Sequence, residues 1–118
     1  PDYWIGIDAR GFLFASALAI YFGGGVVMCR KEGKLPPPVE SASYSLEYDV
    51  ATLQMKGGQG TAVIVDDVLA TGGTLRAVNY LANKAGYDVK DNLVLIDLKY
   101  VPTVVDLNLK VRSLISYE

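Results

Sequence analysis

A strand–turn–helix pattern in the middle of the chain restricts the possible folds more than any other feature. It opens with the apolar, β-branched run Ala62–Val65, which is typical of a strand buried on both faces. Two adjacent carboxylates, Asp66 and Asp67, stand where that run ends. A turn of small residues occupies 70–74, and a helical pattern runs from Leu75 towards Ala85. This order predicts an open α/β sheet with a loop beyond the end of a buried strand.

The same stretch indicates a binding site for a sugar phosphate. Ligands of open α/β sheets bind beyond the carboxyl ends of the strands. A small-residue turn that leads into a helix offers N–H groups and the positive end of the helix dipole to a phosphate. Carboxylates are good acceptors for ribose hydroxyls, so Asp66 and Asp67 would bind the sugar. The residues of the turn would hold the phosphate: Ala70, Thr71, Gly72, Gly73 and Thr74.

Other readings of this stretch are weaker. A Walker loop needs a Lys that does not follow Gly73, and the dinucleotide fingerprint needs a glycine motif where two acids stand. A strand–turn–helix with a solvated acid pair and no ligand stays open as an alternative.

Composition limits the chemistry that the chain can perform. Its 118 residues predict a single domain, 1–118. It has no histidine, which excludes Ser-His-Asp and Cys-His catalysis and His-based zinc sites. A net charge of −2 provides no case for a nucleic-acid or membrane partner.

Neither the single cysteine nor the first residues indicate an oxidising compartment. Cys29 lies in an apolar run, has no partner for an internal disulfide, and is predicted to be buried and inert. We therefore expect a cytoplasmic protein. The chain starts at Pro1 and enters a strand almost at once, so we expect N-terminal elements to be missing.

The remaining pattern predicts a Rossmann-like, mostly parallel sheet of about five strands with flanking helices. A helix over 12–22 links two short apolar runs in a unit whose strands should be parallel neighbours. The strands predicted besides the central one are Tyr3–Ile7, Val26–Arg30, Asn92–Leu98 and Lys110–Tyr117.

Cations follow the first two strands. Arg10 comes after the first, and Arg30, Lys31 and Lys34 come after the second. Parallel strands place these loops at the sheet edge that carries the acids, which suits a heavily phosphorylated substrate. Each cation taken singly could equally be a solvated loop charge.

A hairpin is predicted between the second strand and the central one. Its arms lie near 44–48 and 51–55, after a proline-rich break and before a glycine-rich return. We interpret the segment of about 36–60 as a lid over the site. The alternative is a hairpin whose aromatic residues merely cover a sheet edge.

Four segments resemble one known family, the type I phosphoribosyltransferases, and within it the members that use adenine. They are residues 6–12, 30–36, 44–48 and 65–74. The resemblance implies a Rossmann-like sheet and the reaction of adenine with phosphoribosyl pyrophosphate (PRPP), giving AMP and pyrophosphate in purine salvage. It also implies Mg²⁺ bound with PRPP, and a homodimer. No direct protein ligand is identified for the metal, which would be bound through PRPP near Asp66 and Asp67.

The resemblance also implies roles for single residues. Asp66 and Asp67 would bind the ribose, and the turn 70–74 would bind the 5′-phosphate. Glu47 would exchange a proton with the purine, and Arg10 would join it as a catalytic residue. The residues implied to meet pyrophosphate are Ala9, Arg10, Gly11, Arg30, Lys31 and Lys34, with a cis peptide expected at Asp8–Ala9. Those implied to form the lid are Tyr44 and Tyr48.

Two departures from the family pattern bear on the base. We expect the hood that family members place over the purine to be missing, since the sequence begins at Pro1. The chain also reads Lys99-Tyr100-Val101-Pro102 where family members have a charged Lys-Gly-Arg-Glu-Lys-like stretch. Two alternatives therefore stay open: a phosphoribosyltransferase for another purine or pyrimidine, and a non-catalytic regulator that binds PRPP.

Overall fold

The computed structural model describes residues 1–45, 50–69, 72–98 and 110–117 of the chain. These residues form two helices and seven strands, which all belong to one sheet. The helices are α1 (Arg10–Phe22) and α2 (Gly73–Ala85). The strands are β1 (Tyr3–Ile7), β2 (Gly25–Lys31), β3 (Glu40–Ser45), β4 (Val50–Met55), β5 (Gly60–Leu69), β6 (Tyr87–Leu98) and β7 (Val111–Tyr117).

The strand order β3-β4-β2-β1-β5-β6-β7 confirms the predicted α/β architecture. Strands β2, β1, β5, β6 and β7 are parallel, so the sheet is mostly parallel as predicted, but it has seven strands and not about five because β3 and β4 join it antiparallel. From β1 the chain first moves outwards to β2, and it later returns to β5 on the other side of β1. The order reverses between β1 and β5, and in such sheets the ligand crevice lies at this point.

Side-chain alternation along the central strands builds a core on each face of the sheet. Val63 and Val65 of β5 pack with Trp4 and with Ala15 of α1. Ile64, between them, faces the other way and joins the larger core under α2. The two helices therefore cover opposite faces, as period-2 alternation in doubly covered strands requires.

Two glycines allow the first turn of α1 to lie directly on the sheet. A Cβ atom on Gly11 would come within 2.6 Å of the Val65 carbonyl oxygen, and one on Gly6 within 2.8 Å of the Gly11 carbonyl oxygen. Larger residues would push the helix away from the strands. The contact fixes where α1 begins and hence where Arg10 stands.

The hairpin β3–β4 extends the sheet instead of standing apart from it. β4 pairs antiparallel with the end of β2, where Arg30 lies opposite Gln54. Leu53 and Met55 are buried in the core under α2. The described parts of the predicted lid are thus anchored to the sheet. Residues 46–49 lie outside the described residues, so closure of a lid stays a prediction.

Several elements extend beyond their predicted bounds. Both helices begin two residues earlier than the apolar pattern suggests, because apolar periodicity does not register the small and charged residues of a first turn. β5 runs on to Leu69, so Asp66 and Asp67 lie within the strand. The reason is pairing: Val68 and Leu69 still match Ile96 and Asp97 of β6, which satisfies their backbone groups.

Cys29 is fully buried, as predicted. Burial, with smaller contributions from the charges of Asp66 and Asp8, raises the pKa of its thiol to about 12. It therefore stays protonated and unreactive at neutral pH. Among the described residues no helix is both long and apolar enough to cross a membrane.

A buried amide pair joins α2 to β6. The Asn79 side chain donates to the Leu75 carbonyl oxygen at 2.8 Å and to Asn92 Oδ1 at 2.8 Å. Asn92 in turn donates to the Lys110 carbonyl oxygen at 3.0 Å. Both side chains are almost fully buried. Since buried polar groups are costly unless paired, the two amides fix the register of α2 on the sheet.

Substituting Asn79 by Leu is expected to lower the free energy of unfolding by about 1–3 kcal/mol, because Asn92 Oδ1 loses its donor inside the core. Asn83→Leu, one turn further along α2 on its exposed side, is the matched control and should change stability by no more than about 0.5 kcal/mol. Urea unfolding followed by circular dichroism measures both. Equal effects of the two substitutions would show that the buried amide pair adds no stability.

Candidate active site

The ends of β1, β2 and β5 meet at the carboxyl edge of the sheet. Arg10 Nε lies 2.7 Å from Asp67 Oδ2, which joins the start of α1 to β5. Arg30 Nε donates to Asp8 Oδ2 at 3.2 Å, which joins the end of β2 to the end of β1. The guanidinium of Arg30 also lies 5.7 Å from the centre of the Phe12 ring. The structure thus brings Arg10 to Asp67, one of the two predicted acids, and brings Arg30 to Asp8, which was not predicted.

The peptide bond between Asp8 and Ala9 is cis, as the resemblance implied. Ala9 precedes the first turn of α1, and Gly11 is buried within that turn. Ala9 and Arg10 are exposed at the sheet edge. The segment is therefore open to a ligand lying across the ends of β1 and β5.

Asp66 and Asp67 face different helices because successive strand residues point to opposite faces. Asp67 pairs with Arg10 on the α1 side. Asp66 lines a pocket of about 120 Å³ together with Gly72 and Thr74 from the start of α2. The two acids therefore flank the edge from both sides, and Asp66 stands next to the predicted phosphate turn.

The start of α2 has the geometry of an anion-binding helix terminus. Gly72 has φ +89°, in the left-handed region that favours glycine, and precedes the first helical residue, Gly73. The N-cap residue Gly72 itself has no side chain to cap the helix. The N–H groups of a first turn and the positive end of the helix dipole suit a phosphate. Ala70 and Thr71 of the predicted cradle lie outside the described residues.

The pKa of Asp66 is raised from 3.8 to about 7. The largest cause is burial, followed by the side-chain hydrogen bond to Asp67 and the negative charge of that neighbour. The backbone N–H of Asp67, which donates to Asp66 Oδ1 at 2.8 Å, and the charge of Arg10 act in the opposite direction. Such a carboxyl is stabilised by a donor that arrives with a ligand, for example a ribose hydroxyl.

The structure describes only some of the other predicted site residues. Lys31 and Lys34 are both exposed; Lys31 is the last residue of β2, not a loop residue as predicted, and Lys34 lies in the turn that follows. The backbone of Tyr44 pairs with Ala51 in the hairpin. Glu47 and Tyr48 lie outside the described residues, so their roles stay predictions.

Comparisons with known proteins agree on one family. Residues 1–91 match the family model described as "Phosphoribosyl transferase domain". An adenine phosphoribosyltransferase of Bdellovibrio bacteriovorus is 46% identical over 116 residues, covering 98% of this chain and 70% of that protein. One of Hydrogenovibrio crunogenus is 43% identical over 118 residues, covering 99% of this chain and 69% of that protein. The crystal structure of adenine phosphoribosyltransferase from Thermoanaerobacter pseudethanolicus superposes with a TM-score of 0.88 at 38% identity, covering 98% of this chain and 70% of that one.

This chain belongs to the adenine phosphoribosyltransferases. The match confirms the family, the fold and the enzyme class that the sequence motifs implied. The chain spans about 70% of the length of the relatives named above.

Sequence reasoning overlooked one residue of this phosphoribosyltransferase edge, Asp8. Its carboxylate accepts a hydrogen bond from Arg30 Nε, and its backbone N–H donates to the Cys29 carbonyl oxygen at 3.0 Å. Asp8 thereby locks β1 to β2 beside the segment that carries Arg10. The available signal was its place at the end of a buried strand, the same position that singled out Asp66.

The raised pKa predicts that Asp66 makes the ligand-free protein less stable as pH rises. Between pH about 4 and about 7 the folded state holds a proton that the unfolded chain has released, so stability falls through this window. Asp66→Asn should therefore unfold at a higher temperature than the wild type at pH about 8, and the difference should disappear near pH about 4. Thermal unfolding across this pH range measures the effect.

Asp88→Asn is the control for this prediction, because Asp88 is an exposed carboxylate paired with Lys90. It should show no comparable change with pH. A wild type whose stability rises between pH about 4 and about 7 in parallel with that of Asp66→Asn would contradict the assignment.

Proposed function

We propose that this chain transfers the phosphoribosyl group of PRPP to adenine, giving AMP and pyrophosphate in purine salvage. The proposal is carried by the juxtaposition of Arg10 and Asp67 at the strand-order reversal. That contact places a cation beside a carboxylate at the sheet edge where the α2 terminus also opens. A substrate with a phosphate, a ribose and a diphosphate requires a helix terminus, carboxylates and cations close together at one edge.

The carboxylates act on the sugar. Displacement at the ribose C1 develops positive charge on the ring, and fixed negative groups nearby stabilise it. Asp66 and Asp67 are proposed to accept the ribose hydroxyls while the turn 70–74 holds the 5′-phosphate. The pKa of Asp66 is raised without a ligand. A ribose hydroxyl that donates a hydrogen bond to its carboxylate would favour the charged form.

The cations act on the leaving group. Pyrophosphate departs with several negative charges, which Arg10, Lys31 and Lys34 are proposed to neutralise. Arg30 already pairs with Asp8 and lies half-buried, so its planar guanidinium is held in one orientation. Ala9 and Gly11 are proposed to shape the backbone of this pyrophosphate loop.

The residues present fit Mg²⁺ that is held mainly by the substrate. Magnesium in phosphate sites takes one or two carboxylates and completes its shell with phosphate oxygens and water. Asp66 and Asp67 offer such oxygens, and among the described residues no cluster of three or more acidic or cysteine groups could hold an ion alone. When bound with PRPP, Mg²⁺ would neutralise charge on the diphosphate.

Proton transfer is assigned to Glu47. Adenine must lose a proton as it attacks the sugar, and the chain contains no histidine to take it. Tyr44 and Tyr48 are proposed to shield the reacting atoms from water, which limits hydrolysis of PRPP.

The decisive experiment is nucleotide formation from Mg²⁺ and PRPP with adenine, guanine, hypoxanthine and uracil assayed in parallel. AMP from adenine alone is the expected product. Product from another base instead would identify a phosphoribosyltransferase of different specificity. Calorimetric binding of PRPP without turnover would favour a regulator, and no binding of PRPP would overturn the site itself.

Glu47→Gln separates catalysis from binding in the same assay. Removing the acid–base group should lower the turnover number by about 10²–10⁴-fold while PRPP binding is kept. Glu40→Gln, at the start of β3, is the matched control and should keep the wild-type rate. A fully active Glu47→Gln variant would refute the acid–base role.

A homodimer is proposed through the outer face of α1 and the adjoining face of β2. No charged side chain occurs over residues 11–29, although this helix lies at the surface. Leu13 is 71% exposed, Ile20 87% and Met28 44%. A surface helix without a polar face is typical of one that is buried by a partner, and a second copy presents the same apolar face. The proposed location is the cytoplasm, in keeping with an unpaired Cys29.

Ile20→Glu is expected to convert a dimer into a monomer, because it places a charge in the middle of the apolar face. Light scattering after size-exclusion chromatography measures the mass. Tyr80→Glu, at a residue of α2 that is 64% exposed on the other side of the sheet, is the control and should leave the dimer intact. A monomeric wild type, or a dimeric Ile20→Glu variant, would refute this interface.

A further inference from the structure

The turn that carries Lys31 and Lys34 is tied to the hairpin through its backbone. Its N–H groups donate as follows: Glu32 to the Thr52 carbonyl oxygen at 3.0 Å, Gly33 to Gln54 Oε1 at 3.1 Å, and Lys34 to the Lys31 carbonyl oxygen at 3.3 Å. These three N–H groups are therefore already used within the protein. An anion at this turn would therefore be bound by the lysine side chains. The positions of their charges depend on how firmly the backbone of the turn is held.

Gln54 uses both ends of its amide to hold that backbone. Oε1 accepts from Gly33, and Nε2 donates to Ser41 Oγ at 3.0 Å. In the sheet Gln54 also stands opposite Arg30 on one side and Ser41 on the other. One side chain thus connects the lysine turn, β3 and β4, at the register position of Arg30.

The turn needs the hydrogen bond to Gln54 because its residues 32–34 are exposed. Gly33 has φ +85°, which turns the chain sharply, and a Cβ atom there would meet nothing within 4 Å. Among the described residues, no atom therefore packs on the side of Gly33 where a side chain would stand. Lysine side chains are flexible, so any precision in placing their charges must come from the backbone.

We propose that Gln54 is a positioning residue for the diphosphate end of the substrate, acting through the turn of Lys31 to Lys34. This rests on the proposed function of the site. Asp66 and Gly72, which serve the sugar-phosphate end, lie on β5 and at the start of α2. Within the described residues, the side-chain hydrogen bonds of Gln54 go to Gly33 and Ser41 and not to Asp66 or Gly72. Loss of the Gln54 amide therefore weakens the binding of pyrophosphate and leaves that of AMP unchanged.

A purely structural role would give a different result. The packing of β4 is supplied by Leu53 and Met55, which point into the core. Gln54 lies between them and faces the other way, partly exposed. Replacing its amide with an apolar group of similar length keeps the core contacts and removes only the two hydrogen bonds.

The test is calorimetric binding of Mg²⁺–pyrophosphate and, separately, of AMP to the wild type and to Gln54→Met. The dissociation constant for pyrophosphate should rise about five- to tenfold, the effect of one lost hydrogen bond that fixes the turn. The constant for AMP should stay within about twofold of the wild type. The KM for PRPP should rise with that for pyrophosphate.

Two further variants complete the experiment. Lys84→Met removes a hydrogen bond of 2.9 Å from α2 to the Ser41 carbonyl oxygen and makes no contact with the lysine turn, so it should bind both ligands like the wild type. Ser41→Ala keeps the bond between Gln54 and Gly33 and should weaken pyrophosphate binding less than Gln54→Met does.

The outcomes are distinguishable. Unchanged pyrophosphate binding by Gln54→Met, or equal weakening of pyrophosphate and AMP, would overturn the positioning role while the proposed function stands. Equal effects of Lys84→Met and Gln54→Met on pyrophosphate would also overturn it. A wild type that binds neither ligand would refute the proposed function and this inference together.

Discussion

The parallel pairing of β1 with β5 is the constraint on which the rest of the site depends. It pairs Gly6 with Val65, although 58 other residues separate them in the chain. The strand order reverses at this pair, so the helices that follow β1 and β5 start on opposite faces with their N-termini at the same edge. The ion pair of Arg10 with Asp67 is the direct consequence.

Two of the three carboxylates at this edge form ion pairs with arginines. Asp67 and Asp8 each have an arginine, whereas Asp66 is largely buried and its pKa is raised to about 7. Without a ligand, Asp66 therefore makes the folded state less stable as the pH rises towards its raised pKa.

The hairpin shows how such a site is supported from outside it. Its core side, with Leu53 and Met55, contributes to folding, and its other side, with Gln54 and Ser41, holds the turn of Lys31 to Lys34. Alternation along a single strand thus divides stability and positioning between adjacent residues. The exposed lysines lie on a segment that is held by β4, which pairs with the end of β2 at Arg30 and Lys31.

The sequence by itself determined the element order, the parallel sheet and the edge on which Arg10, Arg30 and the two acids meet, because apolar runs, turn glycines and charges after strand ends are local patterns. The family followed from the same motifs. Only the tertiary structure decided that β5 continues past the acids and that Asp66 and Asp67 face different helices. It also decided that Asp8 receives Arg30, that Asn79 and Asn92 pair in the core, and that Gln54 reaches Gly33. Each of these depends on register between segments distant in the chain, and local residue patterns do not encode that register.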